Sequence, residues 1–196
     1  MPVRLVVLAA WSPPQRGIVA HFQAVADATE LPVIAYNIPG RVIVNIEPET
    51  ITELAAIPTV RAVKQAYDDL AQARHIVELG LSLYAGDDDL VLPFLELGGV
   101  GGICVHTHVV GPQVKELVRR FRDDDVDGAR RLDEELRAAL DILKVVVNPI
   151  AIKAALNLLG HEVGGLRLPL VEATAEEREA VRGCLERLKL LEPAPV

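Results

Sequence analysis

Short apolar runs and amphipathic stretches take turns along the chain as far as residue 122. Val3 to Ala10 is apolar apart from Arg4, the pattern of a strand buried on both faces. Over residues 15–29, Ile18, Val19, Phe22, Val25 and Ala26 fall on one helical stripe. Pro32–Tyr36 reads as a second strand. The segment IEPETITELAAI, with Pro48 early and acids in its first turn, predicts a helix. A third strand follows at Val60–Lys64, then a helix at Asp68–Leu79 that ends before Gly80. Leu81–Ala85 is a fourth strand, with a helix from about Asp88 to Leu97. Gly101–Val105 is a fifth, with a helix over Val110–Arg122. Five β-then-α units in succession predict a parallel sheet joined by right-handed crossovers.

The pattern then changes. Segments near 126–145, 149–159 and 174–190 keep helical periodicity with no strand between them. The chain therefore divides, on its sequence, into βα units over 1–125 and a C-terminal helical extension over 126–196. A closed (β/α)8 barrel takes eight strands and about 250 residues. Five strands leave two architectures open: a doubly wound open sheet, or the later part of a barrel.

Composition narrows the classes of function. The 196 residues carry a formal net charge of −8, which argues against a broad nucleic-acid or anionic-membrane surface. No apolar run reaches the roughly 18 to 20 residues of a membrane span. The opening MPVRLVVLAAWSPP is too short in its apolar part and too weakly basic for a signal peptide. Two cysteines, Cys104 and Cys184, make no disulfide framework and fit a reducing, cytoplasmic setting.

Candidate chemistry sits at the strand ends. Lys64 closes an apolar strand, so it is expected at the C-terminal edge of the sheet, where α/β proteins bind ligands. Low-dielectric surroundings disfavour its ammonium form and favour a nucleophilic amine suited to a Schiff base. Tyr36 ends the preceding strand, and neighbouring strands lie about 4.8 Å apart, which brings its phenol within reach of a group bound to Lys64. Arg41, five residues on, can grip a carboxylate with two N–H donors. Each also has a plainer reading: a snorkelling lysine, a capping tyrosine, a turn at Asn37, Pro39 and Gly40. His106 and His108 lie two apart at the expected strand end, where they could share one face, but two ligands without a third rarely hold a metal. Asp87, Asp88 and Asp89 suit the first turn of a helix. The GGVGG run at 98–102 precedes a strand and is read as a turn, not a phosphate loop.

Taken together, YNIPGR at 36–41, the strand ending in Lys64, YAGDDD at 84–89, GGVGGICV at 98–105, NPIAIK at 148–153 and RLPL at 167–170 resemble the dihydrodipicolinate synthase and N-acetylneuraminate lyase family of class I pyruvate aldolases. The resemblance implies a partial TIM (β/α)8 barrel, about strands 4 to 8, followed by C-terminal helices and lacking the first three βα units. It implies a homo-oligomer that takes small-molecule substrates and needs no metal or organic cofactor. By the resemblance, Lys64 forms an imine with pyruvate, Tyr36 relays protons, and Arg41 engages the carboxylate of the aldehyde substrate, aspartate semialdehyde. Gly86 and Ile103 match positions whose backbone lines the pyruvate pocket. The implied activity is the synthesis of 4-hydroxy-tetrahydrodipicolinate, a step of lysine and diaminopimelate biosynthesis. Aldolases of N-acetylneuraminate or 2-keto-3-deoxy sugar acids, and a truncated non-catalytic homologue, are the alternatives. No GTTGE-like run of the family's pyruvate-carboxylate site occurs, and Ala10 stands where the family has a second relay tyrosine. The adjoining Trp11 does not replace it, because an indole N–H donates but cannot relay a proton.

Overall fold

Five short strands carry the first hundred residues: β1 Arg4–Val7, β2 Val33–Asn37, β3 Val60–Gln65, β4 Ser82–Ala85 and β5 Gly101–Gly102. They pair in parallel in the order β1-β2-β3-β4-β5. A doubly wound sheet reverses its strand order at a switch point. Strict sequential order without reversal is the arrangement of a (β/α)8 barrel, of which this is a part. The computed structural model describes residues 4–7 and 13–192, and the chain falls into two compact units, Met1–Cys104 and Val105–Val196.

In the first unit the connections are α1 Gln15–Asp27, α2 Pro39–Val42, α3 Pro48–Ala55, α4 Leu70–Glu78 and α5 Val91–Glu96, the last preceded by a 3-10 turn at Asp88–Leu90. The expected stripe on α1 turns inward through Ile18 and Phe22, both fully buried. Prolines open α2 and α3, where a missing N–H costs nothing. Asp69 caps α4, its side chain accepting from the Gln72 N–H at 2.9 Å.

The two faces of the sheet differ. Alternation puts Val33, Ala35, Asn37, Val63, Gln65, Leu83 and Ala85 on one side, and all are buried to within 1%. Right-handed crossovers bring the helices onto that side. Ile34, Tyr36, Ala62, Lys64, Ser82 and Tyr84 share the other, where Tyr36, Ser82 and Tyr84 are only half-buried. The pairing of β2 with β3 contains one irregularity: Val33 lies opposite Val60 but Ile34 opposite Ala62, so Arg61 is an extra residue.

The second unit holds α6 Thr107–Arg122, α7 Val126–Glu135, α8 Arg137–Val145, α9 Ile150–Leu158 and α10 Ala175–Arg187. Ile142, Ala151, Ala155, Val181, Cys184 and Leu185 form its buried centre. Helix α10 opens with a reciprocal cap between Thr174 and Glu177. Among the described residues no helix is long and apolar enough to cross a membrane.

Several expectations need correction. The long helix over 126–145 is two helices that meet at Leu136. The fifth strand ends at Gly102 rather than Val105, because the backbone turns into helix at His106 (φ −59°, ψ −22°). His106 and His108 thus lie at a helix start, one buried and one exposed, and share no face. The helix expected to close the fifth βα unit, α6, lies with the helical unit. Of the first expected strand, Arg4–Val7 is present, and its remainder, with Ala10 and Trp11, lies outside the described residues.

Phe94 on α5 is fully buried in the first unit. Phe94→Ala is expected to cost about 3–5 kcal/mol, through lost burial and the cavity left behind. The urea midpoint reads this, and an unchanged midpoint would contradict the packing described.

Candidate active site

Parallel strands deliver their C-terminal ends to one edge, and the register decides which side chains meet there. Tyr36 lies opposite Lys64, and Lys64 opposite Tyr84, so the lysine stands between two tyrosines on the less covered face. Its Nζ sits over the Tyr36 ring, 3.9 Å from the centroid. Lys64 is only 9% exposed. Among the described residues its amine makes no salt bridge, and its contact is the face of the Tyr36 ring.

Charges around it act in a consistent direction. Burial holds the Lys64 pKa below its ordinary value, against the upward pull of Cys104, Asp88 and Asp87. The face of the Tyr36 ring attracts an ammonium by about 1 kcal/mol, which moderates that shift. Burial raises the Tyr36 pKa, with Asp87 adding to the rise and the nearby Arg41 charge opposing it. The Asp87 carboxyl is also raised, first by burial and then by Asp89 and Asp88, while Lys64 and Arg41 lower it. At neutral pH this favours a protonated phenol beside an amine that gives up its proton more readily than an exposed lysine.

Arg41 is exposed on α2, in the segment that leaves β2, and its charge reaches both Tyr36 and Asp87. The expected turn here is a short helix whose cap, Ile43, takes a left-handed conformation (φ 70°). Gly86 is buried one residue beyond β4 and donates its N–H to the Gln65 carbonyl at 2.7 Å. A Cβ at Gly86 would lie 2.7 Å from the Ala66 Cβ and 2.9 Å from the Ala66 nitrogen, so this approach of backbones admits only glycine. The Ile103 N–H donates to the Ala85 carbonyl at 2.9 Å, and its side chain is exposed. The structure therefore brings Tyr36, Lys64, Arg41, Gly86 and Ile103 to the C-terminal edge of one sheet.

Sequence reasoning missed Asn37, Gln65 and Gln72, three amides buried directly behind this edge. A signal was present: Asn37 and Gln65 follow Tyr36 and Lys64 immediately, where alternation turns a side chain onto the helix-covered face and an apolar residue would be usual.

Comparison with known proteins agrees with the geometry. The model of the dihydrodipicolinate synthetase family matches residues 9–188. The 4-hydroxy-tetrahydrodipicolinate synthase of Cyanothece sp. is 46% identical over 183 residues, covering 91% of this chain and 62% of that protein. The 4-hydroxy-tetrahydrodipicolinate synthase 2 of Halalkalibacterium halodurans is 41% identical over 181 residues, with the same coverage of 91% and 62%. The chain thus spans 62% of the length of these curated relatives. Among solved structures, the lysine-bound enzyme of Cyanidioschyzon merolae superimposes with a TM-score of 0.91 at 40% identity, over 95% of this chain and 65% of that one.

Taking an amine out of water costs the fold stability. Lys64→Met keeps the length of the side chain and removes that cost, so the variant is expected to be about 1 kcal/mol more stable at neutral pH. Thermal melting measures this, and a lower melting temperature for Lys64→Met would show that the contact of the amine with the Tyr36 ring outweighs the cost of burying it.

Proposed function

The chain belongs to the dihydrodipicolinate synthetase family, and on that premise we propose that it is a Schiff-base-forming lyase that condenses pyruvate with aspartate semialdehyde. The observation that carries the reading is the buried Lys64 side chain at the end of β3, with its Nζ 3.9 Å from the centre of the Tyr36 ring.

The chemistry follows from an amine in that state. The neutral Lys64 Nζ adds to the C2 carbonyl of pyruvate, and loss of water leaves an iminium ion. The positive nitrogen acidifies the methyl group, which loses a proton to give an enamine. That carbon adds to the aldehyde, whose oxygen takes up a proton. The amine of the second substrate then displaces Lys64 at C2, closing the ring and freeing the lysine. Tyr36, protonated at neutral pH, is the group placed to give and recover these protons. Arg41, exposed yet close enough to act on Tyr36 and Asp87, is the donor for the carboxylate of the aldehyde substrate. Gly86 and Ile103 supply the backbone wall around the bound pyruvate. Both cysteines are buried and neither is in a disulfide among the described residues, which supports a reducing, cytoplasmic setting. The exposed Leu168 and Val171 support association into a homo-oligomer.

Two outcomes check the reading. Borohydride added with pyruvate should fix one reduced pyruvate on Lys64, with no adduct in Lys64→Ala. Because burial lowers the pKa, the neutral amine appears at lower pH than for an exposed lysine. The initial trapping rate should therefore rise with pH and reach half its plateau below the ordinary lysine value. Absence of an adduct at saturating pyruvate would overturn the proposal. Arg41→Ala should leave trapping intact and raise the KM for aspartate semialdehyde about tenfold or more, the worth of a charge-assisted hydrogen bond. Equal KM values would remove Arg41 from the site.

A further inference from the structure

Directly behind Tyr36 and Lys64 lies a closed ring of hydrogen bonds. Asn37 and Gln65 are register partners, and the Asn37 Nδ2 donates to the Gln65 Oε1 at 2.9 Å. The Gln65 Nε2 donates to the Gln72 Oε1 at 2.9 Å. The Gln72 Nε2 donates to the Ile46 carbonyl at 2.6 Å, and the Ile46 N–H returns to the Asn37 Oδ1 at 3.0 Å. The three side chains are between 0 and 2% exposed. The second Asn37 Nδ2 proton reaches the Asn45 Oδ1 at 2.8 Å. From α1, Gln15 grips the same segment, donating to the Asn45 carbonyl at 2.9 Å and accepting from the Glu47 N–H at 3.1 Å.

The ring constrains two things at once. It ties the end of β2 to the end of β3, one residue past Tyr36 and Lys64. It also closes residues 38–45, which carry Arg41, by bonding both backbone groups of Ile46. Apolar packing is non-directional and would fix neither to the same degree. A buried polar ring earns its place only when fully satisfied, and every amide proton or oxygen used in it has a partner at ordinary hydrogen-bond distance.

We propose that Asn37, Gln65 and Gln72 are positioning residues for the imine reaction: the amide ring holds Lys64 against Tyr36 through the strand ends and holds the Arg41 segment through Ile46. None of the three touches substrate. The proposal rests on Lys64 as the imine-forming amine. The groups that act on Lys64 are Tyr36, at ring contact, the Cys104 thiol and the carboxyl groups of Asp88 and Asp87. None of them belongs to the ring, so exchanging one neutral ring residue for another tests position without removing a charge.

The experiment compares the full chain with Gln65→Met and Gln72→Met. Competitive labelling with acetic anhydride gives the pH midpoint of Lys64 without any substrate, and borohydride with pyruvate gives the imine rate. Folded variants should show a midpoint raised toward that of an exposed lysine and trapping at neutral pH reduced about tenfold. Folded variants with the midpoint and trapping rate of the unaltered protein would overturn the proposal. An unaltered protein with a depressed Lys64 midpoint that takes no pyruvate would instead refute the lyase reading, while the labelling still decides on the ring. Should both variants fail to fold, hydrogen exchange on the unaltered protein decides. The Ile46 amide should be protected together with the amides of β3, and exchange as fast as that of exposed loop amides would overturn the ring.

Discussion

One extra residue in β3 sets where every group of the site falls. Had the pairing run on without the bulge, with Arg61 opposite Ile34, Tyr36 would face Val63 and Asn37 would face Lys64. A slip of one residue exchanges the two sides of a strand. The bulge therefore creates two rows in one step, Tyr36 with Lys64 on the open side and Asn37 with Gln65 on the helix-covered side. The Arg61 side chain itself is exposed, so the shift is made where no packing is lost.

The two rows are opposites in energy. Behind the sheet, the amides of Asn37, Gln65 and Gln72 are buried and satisfied, which makes them rigid. In front, Lys64 is buried with its amine against the Tyr36 ring, and burial holds its pKa down. Taking an amine out of water costs free energy, and such a cost persists only where the surroundings leave the side chain no alternative. The rigid row next door supplies that condition.

Much of the fold was legible in the sequence. Apolar runs located all five strands, and the succession of βα units gave a parallel sheet. Placing Lys64 and Tyr36 at neighbouring strand ends needed only the positions of those ends. What periodicity left open, a doubly wound sheet or part of a barrel, is settled by strand order, a property of pairing that one strand's pattern does not contain. The bulge was illegible for the same reason: Arg61 reads as an ordinary polar position until its partner strand is known. The amide ring was half legible, since Asn37 and Gln65 break an apolar pattern, but Gln72 and the Ile46 backbone join them only in three dimensions. The fifth strand was overcalled because Ile103, Cys104 and Val105 suit a strand by composition, while local backbone geometry turns the chain into α6.

The unequal cover on the two sides of the sheet has a consequence for redesign. Val33, Ala35, Val63, Leu83 and Ala85 are enclosed by neighbours, and a change of one methyl group there is felt throughout the layer. Ile34, Ala62 and Ser82 sit two residues before Tyr36, Lys64 and Tyr84 on the looser side. They form the layer beneath the C-terminal edge, with Ile34 and Ala62 buried and Ser82 half-buried. Ser82, the half-covered one of the three, is where side-chain volume can change with the least disturbance.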